Sequence, residues 1–251
     1  MQRVTLLIDG DVVVYKATAA VEVETQWDDD LWTLHSNPDQ AKAIIEQQIE
    51  HFQERLGATD VVFAFSDSHN FRKDVYPLYK NNRAGKRKPV AFKDVKQWAS
   101  DTWVTYVRPG LEGDDILGIL STSDKIIKGQ AVIVSVDKDF NTIPGYFWNP
   151  DKNDFPIFIS REDADRYHLY QTLVGDKTDG YPGLPGCGPV KAEKLLDSVP
   201  MVDRWAAIVA AYEKAGLTEE DALIQARCAR ILRAEDYDFK KKEVKLWLPT
   251  G

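Results

Sequence analysis

Cysteine is nearly absent from this chain: two thiols, Cys187 and Cys228, stand among 251 residues. Two scattered cysteines exclude a disulfide framework and a cysteine-built zinc site, and they fit reduced thiols in the cytoplasm. Long apolar runs are missing as well. No stretch approaches the roughly 20 apolar residues that cross a bilayer. The opening MQRVTLLIDGD reads as a strand start without a signal-peptide pattern. A cytoplasmic protein with no membrane partner is the expectation. Excess positive charge is lacking too, since the net charge is −8, which taken alone argues against a nucleic-acid partner. Internal repeats and low-complexity linkers are absent. The length suits one large domain, or one domain with a small appendage, with a core that needs no covalent staples.

The distribution of charge reverses the impression given by its sum. Residues 72–96 carry nine basic side chains (Arg72, Lys73, Lys80, Arg83, Lys86, Arg87, Lys88, Lys93 and Lys96) against Asp74 and Asp94, a net +7 that leaves −15 elsewhere. A concentrated basic segment is an electrostatic footprint for phosphate even on an acidic protein. Phe71, Tyr76, Tyr79, Phe92 and Trp98 interleave these charges, which separates the segment from a solvated, disordered charge run.

Four short runs rich in β-branched residues, at 4–8, 61–65, 103–107 and 131–136, alternate with helical patterns. Each is nearly continuously apolar, as strands covered on both faces of a parallel sheet are. The spacing predicts helices over 38–56, 92–99 and 114–121, a hairpin over 21–35, and a second small hairpin from Phe147 and 157–159. After Ser160 the pattern becomes helical: SREDADRYHLYQTL, a helix over 161–173 capped at Ser160, then a Gly/Pro turn, then 189–196, 202–215 and 219–233. The C-terminal EVKLWLP could return as a strand. The predicted architecture is an α/β core over 1–159 followed by a helical subdomain over 160–251.

Acids recur where these strands end. Asp9 closes TLLID, Asp67 follows VVFAF, Glu112, Asp114 and Asp115 follow WVTYV, and Asp137 and Asp139 follow AVIVSV; Asp176 and Asp179 stand before the Gly/Pro turn. Ligands of open α/β sheets collect at the carboxyl ends of the strands. A single aspartate there is commonly a helix cap, and Asp115, already inside its helix, is the one of the nine most readily explained as structural. Nine carboxylates on one edge would raise one another's pKa unless divalent cations neutralised them. Hard oxygen donors without histidine or cysteine select Mg²⁺ or Mn²⁺ over zinc. Two such ions about 4 Å apart serve in-line displacement at a phosphodiester.

The turn at 183–188 points to the same chemistry. In GLPGCGPVKAEKLL, Gly183, Gly186 and Gly188 let the backbone approach a ligand, and Lys191 and Lys194 follow on the next helix. A glycine-rich turn entering a helix is an anion site; the bland alternative is an ordinary helix–helix connection. Lys80 and Arg83, in YKNNR, are spaced to reach one phosphate from successive turns, with Arg83 bidentate and Lys80 a mobile point charge. Tyr79 is a candidate for stacking on an unpaired base, and Lys86, Arg87 and Lys88 for steering and holding DNA.

Together LLIDGD, FSD, YKNNR, EGDD, VSVDKDF and GDKTDGYPGLPGCGPVKAEKLL, in that order over about residues 4–197, resemble the flap endonuclease/5′-nuclease family. That family includes the 5′-nuclease domain of bacterial DNA polymerase I and stand-alone bacteriophage 5′-exonucleases. The resemblance implies a PIN-like twisted parallel sheet flanked by helices. It also implies a short basic arch or clamp over about 70–110 and a helix-3-turn-helix motif over about 183–196 that grips duplex DNA, often with K⁺ on main-chain carbonyls. By position Asp9, Asp67, Glu112 and Asp114 match a first metal cluster, and Asp137, Asp139, Asp176 and Asp179 a second, with Asp115 between them. Lys80 and Arg83 match a basic pair at the scissile phosphate. The implied activity is a Mg²⁺-dependent 5′-3′ exonuclease or flap endonuclease in phage or bacterial DNA replication or repair. It would act as a monomer on DNA 5′ ends or flaps, with RNA–DNA hybrid as a further substrate. A PIN-type ribonuclease and a non-catalytic DNA-binding protein are the alternatives.

Replacing Gly186 by valine is expected to weaken duplex binding more than it slows single-turnover cleavage once DNA is bound. Duplex titration and single-turnover rates check this; an unchanged Kd would make the turn an ordinary helix–helix connection.

Overall fold

The computed structural model describes residues 3–83 and 85–249. Strands β1 (Val4–Asp9), β4 (Asp60–Ala64), β5 (Val104–Tyr106), β6 (Gln130–Val134), β7 (Gly145–Trp148) and β8 (Ile157–Ile159) form one sheet in the order β5-β4-β1-β6-β7-β8. All neighbours pair in parallel except β7 and β8, which pair antiparallel at the edge. The second hairpin expected from the sequence therefore exists, but it extends the main sheet.

Alternation along the strands feeds two cores. Leu6, Ile8, Phe63, Phe65, Val132 and Val134 face one side, where they pack with α1 (Gly10–Ala20), α2 (Pro38–Leu56) and α4 (Phe92–Thr102). Leu7, Val62, Ala64 and Ile133 face the other side, where they meet α5 (Gly113–Ser121). Side chains that alternate between two buried faces leave no polar face, which is why these strands read as continuous apolar runs. Helix α2 has the bounds its sequence predicts. Asn37 caps its first turn through Asp39 N and Gln40 N, and Gly57 at φ +60 ends it.

The third core is helical. Leu173 on α6 (Arg161–Val174), Ala192 and Leu196 on α7 (Pro189–Asp197), Ile208 and Tyr212 on α8 (Arg204–Lys214) and Ala222 on α9 (Glu219–Ala229) pack together with Leu184. The chain does not stay in this layer. Ile231, Leu232 and Tyr237 return to the core beside α5. The expected C-terminal strand is reduced to Glu243–Val244 (β10), paired with Tyr237–Asp238 (β9). Beyond β10 the chain runs as a strap, in which Trp247 packs on His168 and Trp205.

The hairpin predicted over 21–35 forms as β2 (Glu22–Asp28) and β3 (Leu31–Ser36), a two-stranded sheet separate from the main one. Helix α1 forms in GDVVVYKATAA, a segment without a clear helical pattern of its own and rich in β-branched valine. It is a helix because Asp9 caps it through the Val12 amide and because both core and solvent faces are available.

Buried His168 is within 2.8 Å of the Ala226 carbonyl through Nε2. Burial, reinforced by the Arg230 and Arg233 charges, pushes its imidazole down to about 3. A histidine kept neutral in the fold contributes full stability above its unfolded-state pKa near 6.5, and that contribution is lost as pH falls toward the folded value. Between pH 7 and pH 5 the native protein should therefore lose about 2 kcal/mol more stability than a His168→Gln variant. Urea unfolding of both proteins at the two pH values checks this; parallel losses would show that His168 titrates in the folded state.

Candidate metal and phosphate site

The parallel sheet sends its strand ends to one edge, and the acids meet there. Asp9 ends β1; its Oδ1 accepts the Val12 amide (3.2 Å) and its Oδ2 the Ser135 hydroxyl (2.7 Å). Burial, with Asp11 and Asp137 nearby, pushes Asp9 up to about 7 despite those hydrogen bonds. Burial drives Asp114, in the first turn of α5, well above the carboxylate range, with Asp9, Glu112 and Asp137 adding to it. Asp137 is raised by burial and by Asp179. Asp139 is pushed up to about 7 by burial and then by Asp137. These groups are electrostatically in one another's reach and short of positive charge.

Cations on neighbouring loops supply part of the compensation. Lys80 Nζ donates to Glu112 Oε1 (2.5 Å) and lies 3.5 Å from Asp179 Oδ2. Arg83 Nη2 donates to Asp179 Oδ1 (2.7 Å), and Lys138 Nζ to Asp176 Oδ2 (2.8 Å). Glu112 falls below its ordinary range because Lys80 and Arg72 outweigh the cost of its burial, and Asp176 because Lys138 does the same. Among the described residues no group of three or more histidine, cysteine or acidic side chains is arranged as it stands to hold a metal ion. Lys80 and Lys138 instead occupy oxygens of Glu112 and Asp176.

The loop 79–83 is locked onto the loop 177–180. Lys80 N donates to the Asp179 carbonyl (2.7 Å), and Asn82 Nδ2 to the carbonyls of Lys177 and Thr178. Lys80 holds φ +54, an unusual conformation for a residue with a side chain. Lys80 and Arg83 do converge, as expected, but from a turn and a short 3-10 segment (Asn81–Arg83), not from successive turns of a helix.

Five expectations are corrected. Tyr79 is 2% exposed, so its ring cannot stack on a base; its hydroxyl bridges Asp179 Oδ2 (2.9 Å) and Glu112 Oε2 (3.1 Å). Asp115 is fully buried and accepts from Arg72, the Glu112 amide and the Leu232 amide, which leaves no lone pair for a metal. Asp67 Oδ2 accepts the Gly110 amide (2.9 Å), and that N–H holds the carboxylate low instead of neighbouring acids raising it. Arg87 is paired through both guanidinium nitrogens with Glu22 at the base of the exposed hairpin, so it tethers the segment instead of offering itself to DNA. Gly183 is buried, and a Cβ there would lie 2.4 Å from Gly175 N, so it serves close backbone packing.

The rest of the turn is open to solvent. Gly186 is exposed at φ +70 with nothing within 4 Å of the place a Cβ would occupy, and Gly188 is exposed at the N-cap of α7. Lys191 folds back to the Gly186 carbonyl (2.7 Å). Lys194, Lys86 and Lys88 are exposed, the last with its ammonium 4.1 Å from the Phe92 ring centre. Several side chains that contact the acids were not singled out in the sequence. Ser135 holds Asp9, Gln171 Nε2 donates to Asp139 Oδ1 (2.7 Å), and Arg72 was counted only as one charge among nine. Asp11, in LLIDGD, accepts the Ser66 amide and lies 3.7 Å from Lys96. The repeated aspartates of that motif were its available signal.

Residues 4–144 match the family described as 5′-3′ exonuclease, N-terminal resolvase-like domain. The chain is 33% identical to an exodeoxyribonuclease of Enterobacteria phage T3, over 98% of this chain and 93% of that protein. It is 34% identical to an exonuclease of Escherichia phage T7, over 97% and 93% respectively. Among solved structures it shares its fold with the bacteriophage T5 flap endonuclease, solved in complex with DNA and metal ions. There the TM-score is 0.68 at 13% identity, covering 89% of this chain and 88% of that one.

Tyr79→Phe retains the ring and removes the hydroxyl. A donor shared by two carboxylates contributes about 1.5–3 kcal/mol, so single-turnover cleavage of a 5′-labelled duplex should slow about tenfold or more at saturating DNA. A variant as fast as the parent would leave Tyr79 with a packing role alone.

Proposed function

The chain belongs to the 5′-3′ exonuclease family, and from that membership we propose that it hydrolyses phosphodiester bonds at or near DNA 5′ ends, as an exonuclease and flap endonuclease using two Mg²⁺ ions. The observation that carries the reading is the acidic sheet edge, where Asp9, Asp114, Asp137 and Asp139 are pushed up by burial and mutual proximity while Lys80 and Arg83 pair with the neighbouring Glu112 and Asp179. A carboxylate set without histidine or cysteine fits a hard divalent ion. Asp9, Glu112 and Asp114, with Asp67 beside them, would hold one ion; Asp137, Asp139, Asp176 and Asp179 would hold the other. Bound there, such ions supply the positive charge that makes water a nucleophile near neutral pH and offsets charge on the leaving oxygen.

The protein's own groups have distinct tasks. Lys80 is kept charged because Glu112, Asp179 and Asp114 outweigh its burial, so it can bind a non-bridging phosphate oxygen as a full cation. Arg83, half-exposed beside it, adds a planar fork suited to the same phosphate. Both leave carboxylates when they turn to DNA, so substrate and metal binding favour each other: each removes part of what the other must compete with. The exposed Gly186–Gly188 backbone with Lys191 and Lys194 would hold duplex phosphates about the start of α7. A K⁺ ion at that turn would have to displace Lys191 from the Gly186 carbonyl. Lys86 and Lys88 would hold the strand that leaves the site. No helix of the described residues is long and apolar enough to cross a membrane, and phage relatives support action inside an infected bacterial cell.

Digestion of 5′-labelled flap, nicked and blunt duplexes in Mg²⁺, read by product length, tests the reading. Short 5′ products that vanish with EDTA are expected. Asp137→Asn should lower turnover by at least a thousandfold while duplex Kd stays within about threefold. Absence of cleavage in both Mg²⁺ and Mn²⁺ would overturn the function, and near-parental turnover of the variant would overturn the assignment of Asp137.

A further inference from the structure

Arg72 lies in the short helix Arg72–Val75 (α3), and only 2% of its surface is exposed. An arginine at that depth needs every N–H satisfied, and here all five are. Nε donates to the Cys228 carbonyl (3.1 Å). Nη1 donates to Asp115 Oδ2 (2.8 Å) and Glu112 Oε2 (3.3 Å). Nη2 donates to Asp115 Oδ1 (2.7 Å) and to the Arg230 carbonyl. Asp115 is saturated in turn, because each of its oxygens also accepts a main-chain amide: Oδ2 that of Glu112 (3.2 Å) and Oδ1 that of Leu232 (3.1 Å). One guanidinium thus ties together the base of the basic segment, the acidic start of α5 and the chain leaving α9.

We infer that Arg72 is a positioning residue for Glu112. It holds the Glu112 carboxylate directly through Nη1, and it holds the Glu112 main chain through Asp115, so that side chain and backbone are both fixed. The inference rests on reading the acidic edge as the phosphodiester-cleaving site. Stability alone does not call for this arrangement, since a buried ion pair is often replaceable by apolar residues of similar size without loss. What apolar residues cannot supply is a fork with five donors at fixed angles, aimed at two carboxylates and two helix-end carbonyls. Residues that orient a metal-binding side chain typically control metal affinity or rate by ten- to a hundredfold when removed.

The pair variant Arg72→Met/Asp115→Leu avoids stranding a buried charge and separates positioning from folding. Arg72→Lys keeps a cation and cannot reach all the acceptors. Each is examined by thermal unfolding, by calorimetric titration with Ca²⁺ in the absence of DNA, and by single-turnover cleavage over a range of DNA and Mg²⁺. We expect folded proteins whose Ca²⁺ affinity falls ten- to a hundredfold, with kcat and half-saturating Mg²⁺ impaired to match and KM for DNA within about threefold. A folded pair variant with parental Ca²⁺ affinity and kcat would reduce Arg72 to a structural residue and overturn the inference. Should the pair variant not fold, the same readings on Arg72→Lys decide in the same way. Failure of the parent to cleave would strike the proposed function instead, and the Ca²⁺ titration would still report on Arg72.

Discussion

Negative charge crowded at one edge of a parallel sheet is the constraint on which the rest of this structure depends. Parallel pairing of β5, β4, β1, β6 and β7 sends every carboxyl end the same way. The acids that follow those strands therefore converge whether or not their charges attract. Burial makes the repulsion worse, since it removes the water that would screen it. The fold answers with hydrogen bonds and cations from elsewhere in the chain: Ser135 and the Val12 amide on Asp9, Lys80 on Glu112, Lys138 on Asp176, Arg72 on Asp115.

That answer organises the basic segment. On sequence it is a run of net +7 that reads as aimed outward at phosphate; in the fold its members divide. Arg72 is buried beneath the site, Lys80 and Arg83 rest on its acids, Arg87 ties the far end to Glu22, and Lys86 and Lys88 remain outward. The exposed Arg87–Glu22 pair is of small individual worth, while the half-buried Lys80 sits where screening is weak. The same segment thus neutralises the site internally.

The helical layer contributes position as much as surface. Gln171 on α6 reaches Asp139, Cys228 and Arg230 at the end of α9 accept from Arg72, and Leu232 donates to Asp115. The close approach of Gly175 and Gly183, both at positive φ, folds the loop carrying Asp176 and Asp179 back against the acidic edge. Gly183 and Gly186 sit three residues apart in one motif and serve different ends: the first allows backbone to meet backbone, and the second leaves backbone open to solvent.

The sequence by itself determined the strands, their apolar faces and the acids that end them, because these depend on local periodicity and on which residues follow a strand. It determined α2 to the residue, because cap, proline and glycine all lie within the segment. It also carried the six ordered motifs that identify the family. Only the tertiary structure decided which acids are available. Asp115 and Asp114 are adjacent and chemically identical, yet the first is saturated by an arginine 43 residues away and the second faces like charges. Only the tertiary structure turned the Tyr79 ring inward, gave Arg72 its five acceptors and sent residues 231–237 back across α5. Each of these outcomes depends on partners distant in the chain, and their identity is set by how three packed layers meet, a property that no local pattern of residue types encodes.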